Sequence, residues 1–159
     1  MSQCLMSRRW LFRRFVRFNA VKTDYIKVVK FGGSSLADAA QFKKVIQIIR
    51  DDESRRYVVP SAPGKRFSGD FKVTDKLYEC YNALVTEKNW MNVLNVIKER
   101  YAEIVDGLGI DFDLETPFDE IAKHIESGAG SDYIASRGEY LNALILAAAL
   151  GYDFIDAAD

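Results

Sequence analysis

Histidine occurs once in this chain and cysteine twice, and none of the three is placed for metal or disulfide chemistry. His124 has no second histidine or cysteine at ligand spacing, which favours a surface or packing role and predicts no metal site. Cys4 lies in a leader and Cys80 in a helical pattern, so they provide no disulfide framework, and a reducing, cytoplasmic setting is expected. No stretch approaches the roughly 20 apolar residues of a membrane span, so no membrane partner is expected. Acidic residues are missing from the first 22 positions, where Arg8, Arg9, Arg13, Arg14, Arg17 and Lys22 stand. Setting those six aside leaves 16 basic residues against 23 acidic ones, a balance of -7 beneath an overall charge of -1. An acidic body argues against nucleic acid as the main partner.

What is present suffices for one domain. The 159 residues are 48% hydrophobic and 28% charged, enough to bury a core. Residues 1–23 form a basic leader in which Trp10, Leu11, Phe12, Phe15 and Phe18 interleave with the arginines. A disordered extension, an organelle transit peptide and a basic surface-binding arm all fit that composition. The disordered extension is the expectation, and the fold is sought in residues 24–159.

That fold is organised around Lys30-Phe31-Gly32-Gly33-Ser34-Ser35. The β-branched and aromatic run Tyr25–Val29 reads as a strand, and Leu36–Arg50 carries helical periodicity at Leu36, Ala40, Val45, Ile46 and Ile49. Two glycines thus stand at a strand-to-helix junction, where backbone amides can turn toward an anion beside the positive end of a helix dipole. Lys30 adds a full charge. The wording is not that of a Walker loop, whose lysine follows its glycines, nor of the three-glycine dinucleotide fingerprint. A plain turn, with Ser35 capping toward Asp38, is the alternative.

A second strand, Arg56–Val59, leads into Pro60-Ser61-Ala62-Pro63-Gly64. Strand, helix and strand within about 35 residues make a βαβ unit and favour a parallel sheet, whose ligands gather at the carboxyl ends of the strands. Ser61 therefore opens toward the same edge as Lys30. The polar loop from Pro63 to Val73 reads as a solvated connection or as a substrate lid. Thr74 begins a helix carrying Leu77, Tyr81, Leu84 and Val85, either as its N-cap or as a substrate contact. Residues 89–106 form the clearest helix, a core element with Asn89 as cap and Gly107 as stop. Phe112 and Leu114 fall in a connection ending at Pro117, followed by a short helix over 118–126 that Gly128 stops.

The last helix, over 133–150, is capped by Ser131 or Asp132 and ended by Gly151, and the apolar run Tyr152–Ile155 after it reads as a strand. Gly138 sits in the middle of that helix at a cost of about 1 kcal/mol relative to alanine. Glu139 follows it. A glycine there admits a close neighbour, and the carboxylate either seeks a cationic ligand or pairs with Arg137 or Lys123 on an exposed stripe.

Taken in order, Lys30-Phe31-Gly32-Gly33-Ser34-Ser35, Val59-Pro60-Ser61-Ala62, Val73-Thr74-Asp75 and Ser136-Arg137-Gly138-Glu139 resemble the aspartate kinase family, over residues 25–159. The resemblance implies a three-layer α/β sandwich of the amino-acid kinase type, with a mainly parallel sheet, truncated after its amino-terminal half. It implies transfer of the ATP γ-phosphoryl group, with Mg2+, to the side-chain carboxylate of L-aspartate, the first step toward lysine, threonine and methionine. In that picture Lys30 is catalytic, and Lys30, Gly32, Gly33 and Ser34 hold the phosphates. Ser61, Thr74 and Glu139 line the amino-acid site, Glu139 facing the ammonium group. The family's catalytic domain continues well past the position of Asp159, so this piece is expected to be inactive alone and its full-length parent to be a homo-oligomer. A sibling kinase with another carboxylate acceptor and a non-catalytic nucleotide-binding remnant are the competing readings.

Overall fold

The computed structural model describes residues 25–156, and the leader 1–23 lies outside them. Strands β1 (Lys27–Phe31) and β2 (Arg55–Pro60) pair in parallel, with Lys30 opposite Val59 and Phe31 opposite Pro60. Helix α1 (Ala39–Arg50) connects them, completing the expected βαβ unit. Four helices follow: α2 (Val73–Val85), α3 (Trp90–Leu108), α4 (Glu115–Glu126) and α5 (Ser131–Leu150). One core joins them, with Phe42 and Ile49 from α1, Leu77 from α2, Ile97 and Tyr101 from α3, Ile121 and Ile125 from α4, and Leu141 and Ile145 from α5. Phe31 and Val58 pack the sheet onto this core, whereas Val28, Tyr57 and Val59 on its other face are half or more exposed.

Several boundaries differ from the sequence reading for physical reasons. The first helix does not start at Leu36: Gly33–Leu36 form a 3-10 turn, and α1 begins at Ala39 with the Asp38 carboxylate accepting the Gln41 amide at 2.9 Å. The α1 dipole therefore ends on Asp38 and not on the glycines. Phe42, not Ala40, completes its buried face. In α2 the buried face is Val73, Leu77, Cys80 and Ala83, while Val85 is exposed.

Asn89 caps α3 as expected, but the helix runs through Gly107 and stops at Gly109, whose φ of +69° is the left-handed conformation glycine adopts freely. Gly107 serves packing instead, since a Cβ there would lie 2.5 Å from that of Ala39. Helix α4 starts at Glu115, not after Pro117, because Asp113 accepts the amides of Glu115 and Thr116, and proline is tolerated in a first turn. Gly130, not Ser131 or Asp132, stands at the N-cap of α5, and Gly151 ends that helix as expected. The run Tyr152–Ile155 forms no strand; among the described residues only β1 and β2 share a ladder, and the Tyr152 amide instead donates to Ala147 O at 3.0 Å at the end of α5.

Candidate active site

The parallel register brings the segments after β1 and β2 side by side. The Ser61 amide donates to Phe31 O at 2.9 Å, and the Gly64 amide donates to Gly33 O at 2.8 Å. This contact requires both glycines: a Cβ on Gly33 would sit 2.7 Å from Ala62 O, and one on Gly64 would sit 2.7 Å from the Gly33 carbonyl carbon. Gly32 is different. Its φ is −79°, and a Cβ there would meet nothing within 4 Å, so neither strain nor internal packing asks for glycine.

Helix α5 closes the site from behind. Gly138 lets the loop after β2 approach, since a Cβ there would lie 2.7 Å from Ala62 Cβ and 3.2 Å from Leu77 Cδ1. The buried Asn142, one turn further on, donates to Ser61 O at 2.6 Å. Tyr101 of α3 donates its hydroxyl to Gly138 O at 2.7 Å, and burial, then the nearby Glu139 carboxylate, push that phenol well above its ordinary pKa. Glycine in mid-helix thus admits the loop that carries Ser61 next to Glu139.

Together these contacts shape a cavity of about 450 Å³ lined by Gly33, Ser34, Ser61, Ala62, Gly64, Lys65, Lys72, Thr74 and Glu139. Five of the seven residues singled out in the sequence, Gly33, Ser34, Ser61, Thr74 and Glu139, share its wall. Lys30 and Gly32 do not; Lys30 is exposed within β1, on the face of Val28. Thr74 is not a cap, because α2 starts at Val73 with Lys72 at the N-cap position, so its hydroxyl is left to the cavity. Glu139 makes no ion pair with Arg137 or Lys123; the Arg137 guanidinium lies 4.3 Å from the Tyr133 ring centroid and 4.6 Å from that of Tyr140. Ser61's amide is committed to the ladder, leaving its hydroxyl as its polar offering.

The sequence does not single out Lys65 and Lys72 as site residues, although both line the cavity. They come from the loop between β2 and α2, whose polar composition resembles any solvated connection. Their proximity to the glycine turn depends on the contact between Gly33 and Gly64, which no local pattern encodes. The cavity thereby presents two ammonium groups and one carboxylate, none ion-paired among the described residues, with serine and threonine hydroxyls between. Such a wall suits a ligand carrying both signs of charge. His124 lies apart, stacked on Tyr133 at 5.0 Å, and no three of the described His, Cys, Asp or Glu side chains converge for a metal ion.

The sequence profile of the amino acid kinase family matches residues 26–159. The chain belongs to the amino acid kinase family. This amino acid kinase chain is 36% identical over 138 residues to aspartokinase 3 of Bacillus subtilis, covering 83% of the chain but 30% of that relative. Aspartate kinase of Clostridium acetobutylicum superposes with a TM-score of 0.81 at 53% identity, over 84% of the chain and 31% of that protein. Aspartokinase III of E. coli, solved with aspartate and ADP, shares the fold at a TM-score of 0.62 and 23% identity, over 79% of the chain and 29% of its own. The amino acid kinase chain therefore spans about a third of the length of these relatives, and its strands and helices are those of the α/β architecture expected from the sequence.

Proposed function

We propose that this chain supplies the phosphate turn and the amino-acid pocket of an aspartate kinase, which transfers the γ-phosphoryl group of ATP to the side-chain carboxylate of L-aspartate. The observation that carries this reading is the single cavity uniting Gly33, Ser34, Ser61, Thr74 and Glu139, in a chain 53% identical to an aspartate kinase. The acceptor carboxylate, with a reference pKa of about 3.9, is ionised at neutral pH and needs no general base. The chemical demand is to bring two anions together, which is a matter of placement and charge. Lys65 and Lys72 offset phosphate charge from the cavity wall, Lys30 from the strand before it, and the amides that open the 3-10 turn have no intrahelical acceptor and can donate to phosphate oxygens. A Cβ at Gly32 would meet nothing within 4 Å, so the turn leaves its backbone open to a phosphate group there. Glu139 attracts the substrate ammonium, and Ser61 and Thr74 orient its polar groups. With no protein cage for a metal among the described residues, Mg2+ would arrive on the nucleotide and supply charge neutralisation there.

The test is ATP-dependent acyl-phosphate formation, trapped with hydroxylamine, using this chain alone and joined to the remaining catalytic part of the Clostridium relative. Hydroxamate from L-aspartate in the joined protein is expected, with Lys30→Ala lowering mainly kcat and Glu139→Ala raising mainly the KM for aspartate. Product with another acid and not with aspartate would move the reading to a sibling kinase. Nucleotide binding without product from any acceptor would leave a binding remnant.

A further inference from the structure

We infer that the buried pair Arg100 and Asp70 are positioning residues for the reaction, locking the loop that carries Lys65 and Lys72 against the 3-10 turn. The side chains are 2% and 3% exposed, and Arg100 Nη1 lies 3.0 Å from Asp70 Oδ2. The other arm of the same guanidinium donates to Ala37 O at 2.7 Å, just past the 3-10 turn, and to Gly64 O at 3.1 Å, in the loop. Asp70 gathers the loop from its far end: it accepts the Arg66 amide at 2.9 Å and the Arg66 guanidinium at 2.8 and 3.0 Å. Arg66 reaches on to Glu103 of α3 at 2.6 Å, and the loop closes on itself where the Val73 amide meets Pro63 O at 3.0 Å.

A solvated connection needs none of this. Charges are buried only where paired and hydrogen-bonded, and only the planar fork of arginine serves a carboxylate and two carbonyls at once. One guanidinium thus ties three segments together, and the loop cannot leave the turn without breaking charge-assisted bonds out of water. Lys65 directly follows the pinned Gly64, and Lys72 lies two residues after Asp70, so the clamp sets where both ammonium groups stand over the cavity. The catalytic part of this inference rests on the kinase reading above; the locking of the loop does not.

Two measurements decide it. Trypsin cuts after Lys65 and Arg66, and in the 159-residue chain Asp70→Asn and Arg100→Lys are expected to speed cleavage there about tenfold, because each loses charged hydrogen bonds that hold the loop shut. Ile125→Val, a buried change on α4, should leave cleavage at that loop unaltered and serves as the control for general destabilisation. In the chain joined to the remainder of the Clostridium relative, Asp70→Asn should raise the KM for ATP or aspartate about tenfold, with kcat changed much less. Loop cleavage at the unsubstituted rate overturns the locking, and faster cleavage with unchanged KM values overturns the positioning role. Should Arg100→Lys fail to fold, the near-isosteric Asp70→Asn decides alone. If the unsubstituted joined protein makes no hydroxamate from aspartate, the kinase reading fails by itself, and the cleavage rates still judge the lock.

Discussion

At the scale of single residues, the two adjacent glycines of the turn ask for different experiments. Gly32 is required by neither backbone conformation nor packing, so Gly32→Ala is expected to keep thermal stability within about 0.5 kcal/mol while weakening nucleotide binding, measured by calorimetric titration with ATP and Mg2+. Gly33→Ala meets backbone, which cannot step aside as a flexible side chain could; a loss of about 1–3 kcal/mol in urea unfolding is expected. Asp70 adds a pH signature. Burial opposes its ionisation, but the Arg66 amide and guanidinium outweigh it and hold its carboxyl below the usual carboxylate range. The stability this provides is present above the unfolded pKa of about 3.9 and lost as pH falls through the lower folded value. The stability gap between the unsubstituted chain and Asp70→Asn should therefore narrow from neutral pH to about pH 3, and a gap constant with pH would count against the assignment.

At the scale of elements, the site depends on how helices end and how closely they pass. Gly109→Ala places a side chain at φ +69° and should cost about 1 kcal/mol, read as a lower melting temperature with kinetics unchanged. Gly138→Ala has opposing terms: alanine gains about 1 kcal/mol in helix propensity, whereas a Cβ 2.7 Å from that of Ala62 overpacks by about 1–3 kcal/mol. The overpacking wins, and because Ala62 neighbours Ser61, the joined protein should lose aspartate affinity as well as stability. The sequence marks Gly138 as out of place in a helix but cannot say which neighbour needs the room. Arg100 was also legible in part: it lies three residues after Ile97 and four before Ile104, on the face otherwise apolar. A charge there signals a buried partner, yet Asp70 is 30 residues away along the chain and is found only in the folded state.

At the scale of the whole molecule, one sheet face is covered by helices and the other shows Val28, Tyr57 and Val59. Parallel strands are ordinarily buried on both faces, and the relatives are about three times as long as this chain. The isolated chain is expected to bind the apolar dye ANS, and Val59→Lys to reduce that binding without lowering the melting temperature. Cys80 gives an independent probe of the core: burial pushes its thiol up to about 11, so iodoacetamide at neutral pH should label it in a Cys4→Ser chain only when urea unfolds the protein.

The sequence by itself determined the βαβ opening and the main helices, because strand and helix periodicity, glycine and capping residues act over a few neighbours; Thr74 and Glu139 were left with two readings by local pattern and were assigned to the site only by the resemblance to aspartate kinases. Only the tertiary structure decided that Thr74 faces a cavity instead of capping a helix and that Tyr152–Ile155 finds no ladder partner among the described residues. It alone decided that a polar loop is locked by Arg100 and Asp70 so that Lys65 and Lys72 join the site. That lock rests on contacts between residues 30 to 63 positions apart along the chain, where close approach and the pairing of buried charge set the outcome and local propensity has no say.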